Sequence, residues 1–419
     1  MLNFLHETHV TDRERDRLGF GKQVSLLASA VRIAKPPFTI GVFGEWGTGK
    51  TSLISLARQE LQEDSTEVLT VWLDTWKYGD VSNLLIPLAY AIEKAAKDNS
   101  STRKSLKKAG QVAAKVLTAN VGAMLKVALK ERTGIDVSME TASDLSPDKI
   151  DNWVSDVDDI ESQFRELVAT VLKETKKKRI CVFVDDLDRC SPEVSLRLLE
   201  STRIFFHHTD IVFVVALSPE TIIQGVRSKY GDNPRLANDY AQKLVHYWIS
   251  VPLCTSSYRE LLQHLLAEIN PALTGAPVAF AKSVVEATQV GRVKNIRLIK
   301  QMVSRAVFFA LANEELVNGP MGKELAYLLV CKHAFPTIYG LAQARIQFLS
   351  YAVNAINPDD VSGRDSNRKV MSDAEIHAVD SPGAPYEFLV KLSGAAEAEK
   401  SFVRSAAGRE AFSSISDLL

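Results

Sequence analysis

The chain has 419 residues, more than one hydrophobic core usually organises, so two or three domains are expected. Its 46% hydrophobic and 24% charged content is that of an ordinary globular protein and excludes a fibrous or wholly disordered chain. A formal net charge of −1 gives no global basis for binding nucleic acid or an anionic membrane.

The N-terminal "MLNFLHETHVTDRERDR" has too short an apolar stretch and too many acids for a signal peptide. Residues 16–34 carry apolar side chains at helical spacing, ended by Pro36 and Pro37. "FTIGVF" reads as a buried strand, "TSLISLARQELQE" as an amphipathic helix, "EVLTVWLDTW" as a second strand and "LLIPLAYAIEKAAK" as a helix. Residues 98–158 read as an inserted segment, basic and Ala-rich at first, then polar and acidic. Within it, 112–129 is the longest apolar stretch, but Lys115 and Lys126 interrupt it, so no segment spans a bilayer. The stretch fits a packed amphipathic helix, with a membrane-surface or partner helix as the alternative.

"IESQFRELVATVLKE" is helical, and "KETKKKR" after it reads as a solvated loop rather than a nucleic-acid contact. "RICVFVDDLD" is a strand of continuous apolar character. "SPEVSLRLLESTRIFFHH" is a helix with Ser191 as N-cap, Pro192 in its first turn and Glu193 beside it. His207 and His208 are adjacent and point apart on a helix, which disfavours a metal site. "DIVFVVAL" is another strand, and from Tyr258 onward the pattern is almost wholly helical. Residues 357–385, rich in Asp, Ser, Asn, Gly and Pro, read as a linker. Cys181, Cys190, Cys254 and Cys331 show no CxxC spacing, which favours free thiols in a reducing cytoplasm; Cys331 and His333 lack the partner acid of a thiol protease.

Strands alternating with helices predict an α/β fold, a mostly parallel sheet with helices on both faces, followed by a C-terminal helical lid. The expected divisions are a core over 1–257 with the 98–158 insertion, a lid over 258–356, and a linker with a helical tail over 357–419.

Between the first strand and its helix stands "FGEWGTGKTS". Gly44-x4-Gly49-Lys50-Thr51 in that setting is a Walker A P-loop. Its glycines let successive N–H groups converge on phosphate oxygens, and the helix after it adds the positive end of its dipole. The expected cradle is Gly44, Glu45, Trp46, Gly47, Thr48, Gly49, Lys50, Thr51 and Ser52. Lys50 should reach the β- and γ-phosphates and Thr51 should hold Mg²⁺. As part of a solvated loop, Lys50 should be replaceable by Ala without harm to the fold. Trp46 has no evident phosphate chemistry and is expected to pack in the loop. Asp185, at the carboxyl end of an apolar strand, is the expected outer ligand of the Mg²⁺ site. Asp186 stands where a hydrolase keeps the acid that polarises water. Asp188 is either a third catalytic acid or a turn cap beside Arg189.

These residues resemble the KAP family of P-loop NTPases. "FTIGVFGEWGTGKTSLI" resembles that family's Walker A, including Trp46. "VWLDTWKYGD" resembles the aromatic segment after the second strand, and "VFVDDLDRCSPE" the extended Walker B. "YAQKLVHYWISVPL" with "GRVKNIRLIKQMVSR" resembles the last strand and the lid. The resemblance covers roughly residues 12–345 outside the insertion. It departs from the family pattern in lacking inserted transmembrane helices and in placing Ser218 where an Asp is common. It implies ATP and Mg²⁺ as ligands and an architecture like that of additional-strand ATPases and STAND switches. A lid cation reaching the nucleotide is then expected, with Arg297 preferred over Arg292, Lys294 and Lys300; Arg189 and Arg203 are candidates for a finger acting in trans. The resemblance implies a cytoplasmic, or membrane-proximal, ATPase driving a conformational or assembly switch, in the manner of anti-phage defence systems, with self-association or a partner protein governed by nucleotide state. A signalling scaffold with little turnover and a P-loop phosphotransferase are the alternatives.

Overall fold

The structure is a computed structural model that describes residues 10, 16, 18–64, 67–78, 85–99, 161–162, 164–204, 209–231, 233–251, 258–319, 322–344 and 371–372. The expectations for 112–129, for most of the 98–158 insertion, for His207, His208 and Cys254, and for nearly all of 357–419 lie outside the described residues.

Two compact units form, one within His9–Pro252 and one from Leu253 onward. In the first, α1 (Gly21–Ile33), β1 (Phe38–Phe43), α2 (Lys50–Asp64), β2 (Val68–Asp74) and α3 (Leu85–Asn99) precede a helix over residues 164–175, here α4. Then come β3 (Arg179–Asp185), α5 (Pro192–Ile204), β4 (Ile211–Leu217), α6 (Pro219–Tyr230), α7 (Pro234–Leu244) and β5 (Tyr247–Ser250). The strands form one sheet in the order β2-β3-β4-β1-β5, and every pair is parallel. Strand β4 thus stands between the strand that precedes the P-loop and the strand that ends in Asp185.

The apolar runs explain this arrangement. Every residue of β4 is buried, as are five of the six in β1, so both faces of the central strands are covered. Helices α2 and α3 pack against the sheet. Leu88, Ile92, Phe164, Leu167 and Val171 join Val182, Val184, Phe213 and Val215 in one core. Register does the rest. Val184 is opposite Val215, and Ala216 is opposite Val42, so Asp185 emerges at the same sheet edge as the P-loop.

Helix α1 begins at Gly21, later than the expected residue 16. Gly19 takes φ +69° and Leu18 N–H donates to Asp16 Oδ1 at 3.1 Å, so the chain turns before the helix. Its buried stripe of Val24, Leu27, Ala28 and Val31 faces α2. Arg179, the last residue of the basic run, donates to Val31 O at 2.8 Å and Ala34 O at 2.7 Å, satisfying carbonyls at the end of α1. Of the lysines before it, Lys173, Lys176 and Lys178 are exposed and Lys177 is half-buried.

A buried charge ties three helices together. Glu200 on α5 is 0% exposed; it accepts from Lys229 of α6 at 2.7 and 2.8 Å and from the Tyr240 hydroxyl of α7 at 2.7 Å. A carboxylate can be buried here because both oxygens are bonded and a cation is paired with it.

The second unit is helical: α8 (Tyr258–Ile269), α9 (Ala276–Val290), α10 (Ile296–Ala312), α11 (Glu314–Asn318), α12 (Gly322–Ala334) and α13 (Pro336–Ala344). Helix α9 packs against α10 and α12 through Phe280, Val284, Met302, Ala306, Ala326 and Val330, with Phe280 and Phe309 centroids 5.7 Å apart. Arg305 Nη1 lies 2.9 and 2.8 Å from the two ring nitrogens of His333. Burial, then Arg305 and Lys332, hold that imidazole down at about 4. Cys331 is buried and burial pushes its thiol up to about 12, which leaves no thiolate for nucleophilic chemistry. Among the described residues no helix is long and apolar enough to cross a membrane.

Candidate functional site: the P-loop and the acidic turn

The P-loop runs from the buried end of β1 into the first turn of α2. Gly49 takes φ +101°, and a Cβ there would lie 3.0 Å from the Phe20 ring, so only glycine fits both the backbone and the space. A Cβ on Gly44 would fall 2.4 Å from Thr48 Oγ1, which instead donates to Glu45 O at 2.8 Å and closes the loop on itself. Trp46 is 58% exposed. Ser52, expected in the phosphate cradle, is buried and its Oγ accepts from Val10 N–H at 3.1 Å.

Thr51 and Asp185, far apart in sequence, meet here. Thr51 Oγ1 donates to Asp185 Oδ1 at 3.0 Å. The backbone of Asp185 is clamped, since the buried Thr75 donates to Asp185 O from its hydroxyl at 2.7 Å and from its N–H at 3.1 Å. Burial first, then the neighbouring charge of Asp186, push the Asp185 carboxyl up to about 6, against the hydrogen bonds that favour its charge.

After Asp185 the chain turns sharply. Asp186 has φ +54° and ψ +25°, a left-handed conformation that costs a non-glycine residue on the order of 1–3 kcal/mol. A 3-10 turn over Leu187–Arg189 follows, anchored by the buried Leu187. The three acids are thereby aimed at different partners. Asp185 meets Thr51, Asp186 Oδ1 forms an ion pair with Arg189 Nε at 2.8 Å, and Asp188 Oδ2 forms one with Lys50 Nζ at 2.9 Å. The Arg189 guanidinium also lies 4.8 Å from the ring of Trp76, which is 60% exposed.

Lys50 is not in a solvated loop. Its side chain is 8% exposed and that of Asp188 10%, and Lys50 Nζ also donates to Gly44 O at 3.0 Å and Glu45 O at 3.2 Å. The expectation that Lys50→Ala leaves the fold untouched is therefore corrected: removal would strand a largely buried carboxylate.

Residues 21–309 match the KAP family P-loop domain. The chain belongs to this family. Nucleotide binding at the P-loop is thus the family's chemistry as well as the motif's. Among curated proteins no match was found. Among solved structures, this KAP protein is similar to the Orc1 protein of Aeropyrum pernix in complex with DNA, at 13% identity over 95% of each chain and a TM-score of 0.34. It is also similar to Cdc6p of Pyrobaculum aerophilum, at 11% identity over 94% of this chain and 96% of that one, with a TM-score of 0.34. The Aeropyrum pernix Orc2 protein with ADPNP and ADP matches at 13% identity over 95% and 97% of the chains, with a TM-score of 0.32.

The KAP site thus gathers Lys50, Thr51, Asp185, Asp186, Asp188 and Arg189. Arg203 is not among them: it sits beside His246, whose Nδ1 accepts from Thr39 N–H at 3.0 Å near the start of β1, at the opposite edge of the sheet. Arg297 lies in the first turn of α10, whose N-cap Asn295 accepts from Leu298 N–H at 3.0 Å; Arg297 and Lys300 are half-buried, Arg292 and Lys294 exposed. Ser218 stands at the end of β4, partly exposed, before α6. Two features had no clear signal in the sequence. One is the pairing of Asp188 with Lys50. The other is the apolar wall that Leu18 and Phe20 place beside Gly49.

Proposed function

We propose that the protein binds Mg·ATP at the P-loop, hydrolyses it, and uses the cycle to switch the helical lid and a partner or second copy of itself. The contact between Thr51 Oγ1 and Asp185 Oδ1 carries this reading. Two hard oxygen donors 3.0 Å apart suit Mg²⁺, which takes one or two protein ligands and completes its shell with water and phosphate. When bound, Mg²⁺ would neutralise charge on the β- and γ-phosphates.

The chain's own groups supply the rest. The P-loop backbone presents N–H groups at the start of α2, where the helix dipole favours an anion. Lys50 donates to phosphate oxygen. Asp186 accepts a proton from water once its ion pair with Arg189 loosens. In the lid, Arg297 at the positive end of α10 senses the γ-phosphate. One charge-assisted contact, about 1.5–3 kcal/mol, changes a two-state population about tenfold or more. The family resemblance extends the reading to an assembly or anti-phage defence ATPase.

A second reading has its own observation. Asp186 is held by Arg189 at 2.8 Å, which favours a nucleotide-dependent scaffold with little turnover if that pair persists. Single-turnover hydrolysis of Mg·ATP by the wild type and Asp186→Asn separates them. The switch reading expects the variant to bind ATP and lose most hydrolysis. Tight binding without hydrolysis in the wild type favours the scaffold.

A further inference from the structure

We propose that Asp188 competes internally with phosphate for Lys50, and that this competition sets the nucleotide affinity of the site. The inference rests on the reading of the P-loop as a Mg·ATP site.

Lysine has three ammonium protons, and Lys50 has three acceptors: Gly44 O at 3.0 Å, Glu45 O at 3.2 Å and Asp188 Oδ2 at 2.9 Å. A phosphate oxygen that claims one of those protons must displace an acceptor. The two carbonyls belong to the loop backbone. Asp188 is the acceptor on a side chain, and the one whose negative charge an arriving phosphate repels.

Displacement has a cost because the pair is nearly dry. Lys50 and Asp188 are 8% and 10% exposed, so a freed carboxylate is left with little water and without its cation. Every phosphate ligand that claims the lysine must offset that cost. Mg²⁺ held by Thr51 and Asp185 would accompany a diphosphate and a triphosphate alike, and would place positive charge close to the displaced acid in both. The carboxylate therefore taxes every phosphate ligand that claims Lys50. The other two acids are already engaged, by Thr51 and by Arg189, which leaves Asp188 as the acid aimed at the lysine. It is a positioning residue for Lys50 and takes no proton from substrate.

Equilibrium binding of Mg·ADP and Mg·ATP to the full chain tests this, with Asp188→Asn, Asp188→Ser and Asp188→Glu beside the wild type. The Asn and Ser variants are expected to bind both nucleotides about tenfold tighter, the equivalent of about 1.4 kcal/mol. The Glu variant, which restores the charge, should return toward wild-type affinities. Unchanged Mg·ADP affinity in the neutral variants overturns the proposal, and so does loss of hydrolysis with unchanged affinities, which would make Asp188 a catalytic group. Absence of any nucleotide binding by the wild type would remove the Mg·ATP reading itself, whereas normal binding without the shift removes only the role of Asp188.

Discussion

Lys50→Ala is the usual way to disable a P-loop, and here it is expected to do two things at once. Removing the lysine leaves Asp188, 10% exposed, without its cation at 2.9 Å. Breaking a buried pair from one side costs about 3–5 kcal/mol, and the residual exposure of Asp188 admits some water, so the lower end, about 3 kcal/mol, applies. With a urea dependence of about 2–3 kcal/mol per molar for a unit of this size, the midpoint should fall by about 1 M. Adding Asp188→Asn removes the stranded charge. The double variant should recover all but about 1 kcal/mol of stability while still failing to bind ATP. Urea denaturation of the wild type, both single variants and the double variant gives the coupling directly, expected at about 2 kcal/mol plus whatever Asp188→Asn costs alone. Coupling below about 0.5 kcal/mol would show that the pair does not hold the turn, and the reasoning from burial would be wrong.

Glu200→Gln should lower the melting temperature of the P-loop unit by roughly 10 °C, from about 3 kcal/mol lost when Lys229 keeps no anionic partner; calorimetry showing a shift under about 2 °C would contradict the role given to that network. His333, held at about 4 in the fold, binds fewer protons there than in the unfolded chain between about pH 4 and 6.5. Stability of the helical unit should therefore rise with pH through that window and be lost as pH falls, by about 2 kcal/mol after allowing for its partial exposure. Denaturation at pH 4.5 and 7 should show this slope in the wild type and a flatter one in His333→Gln. Arg297→Ala should leave Mg·ADP affinity unchanged and erase the difference in hydrogen exchange of α8 to α13 between ADP and a non-hydrolysable ATP analogue; a difference that survives the substitution removes Arg297 from the switch.

The P-loop and the Asp185 strand were legible because their chemistry is local. A glycine turn between an apolar strand and an amphipathic helix, and an acid at the end of five apolar residues, need no tertiary contact to be recognised. The alternation of elements likewise implied a parallel sheet, and the helical pattern from Tyr258 onward matches α8 to α13. What escaped depends on a backbone turn. "DDLD" does not reveal that Asp186 takes φ +54°, yet that turn sends Asp188 to Lys50 and Asp186 to Arg189. The burial of Lys50 escaped for the same reason, because its exposure depends on a residue well over a hundred positions away. Leu18 and Phe20 looked like ordinary helix residues, and only the turn at Gly19 brings them beside Gly49.

The central claim is that Thr51 and Asp185 together hold the Mg²⁺ of a bound nucleoside triphosphate. The most direct measurement is ATP affinity with and without Mg²⁺, in the wild type and in Asp185→Asn. The wild type should bind ATP at least tenfold more tightly with Mg²⁺, and the variant, which keeps the shape and loses the charge, should lose most of that gain. An Asp185→Asn protein with the same Mg²⁺ dependence as the wild type, or a wild type that binds no ATP at all, would contradict the claim.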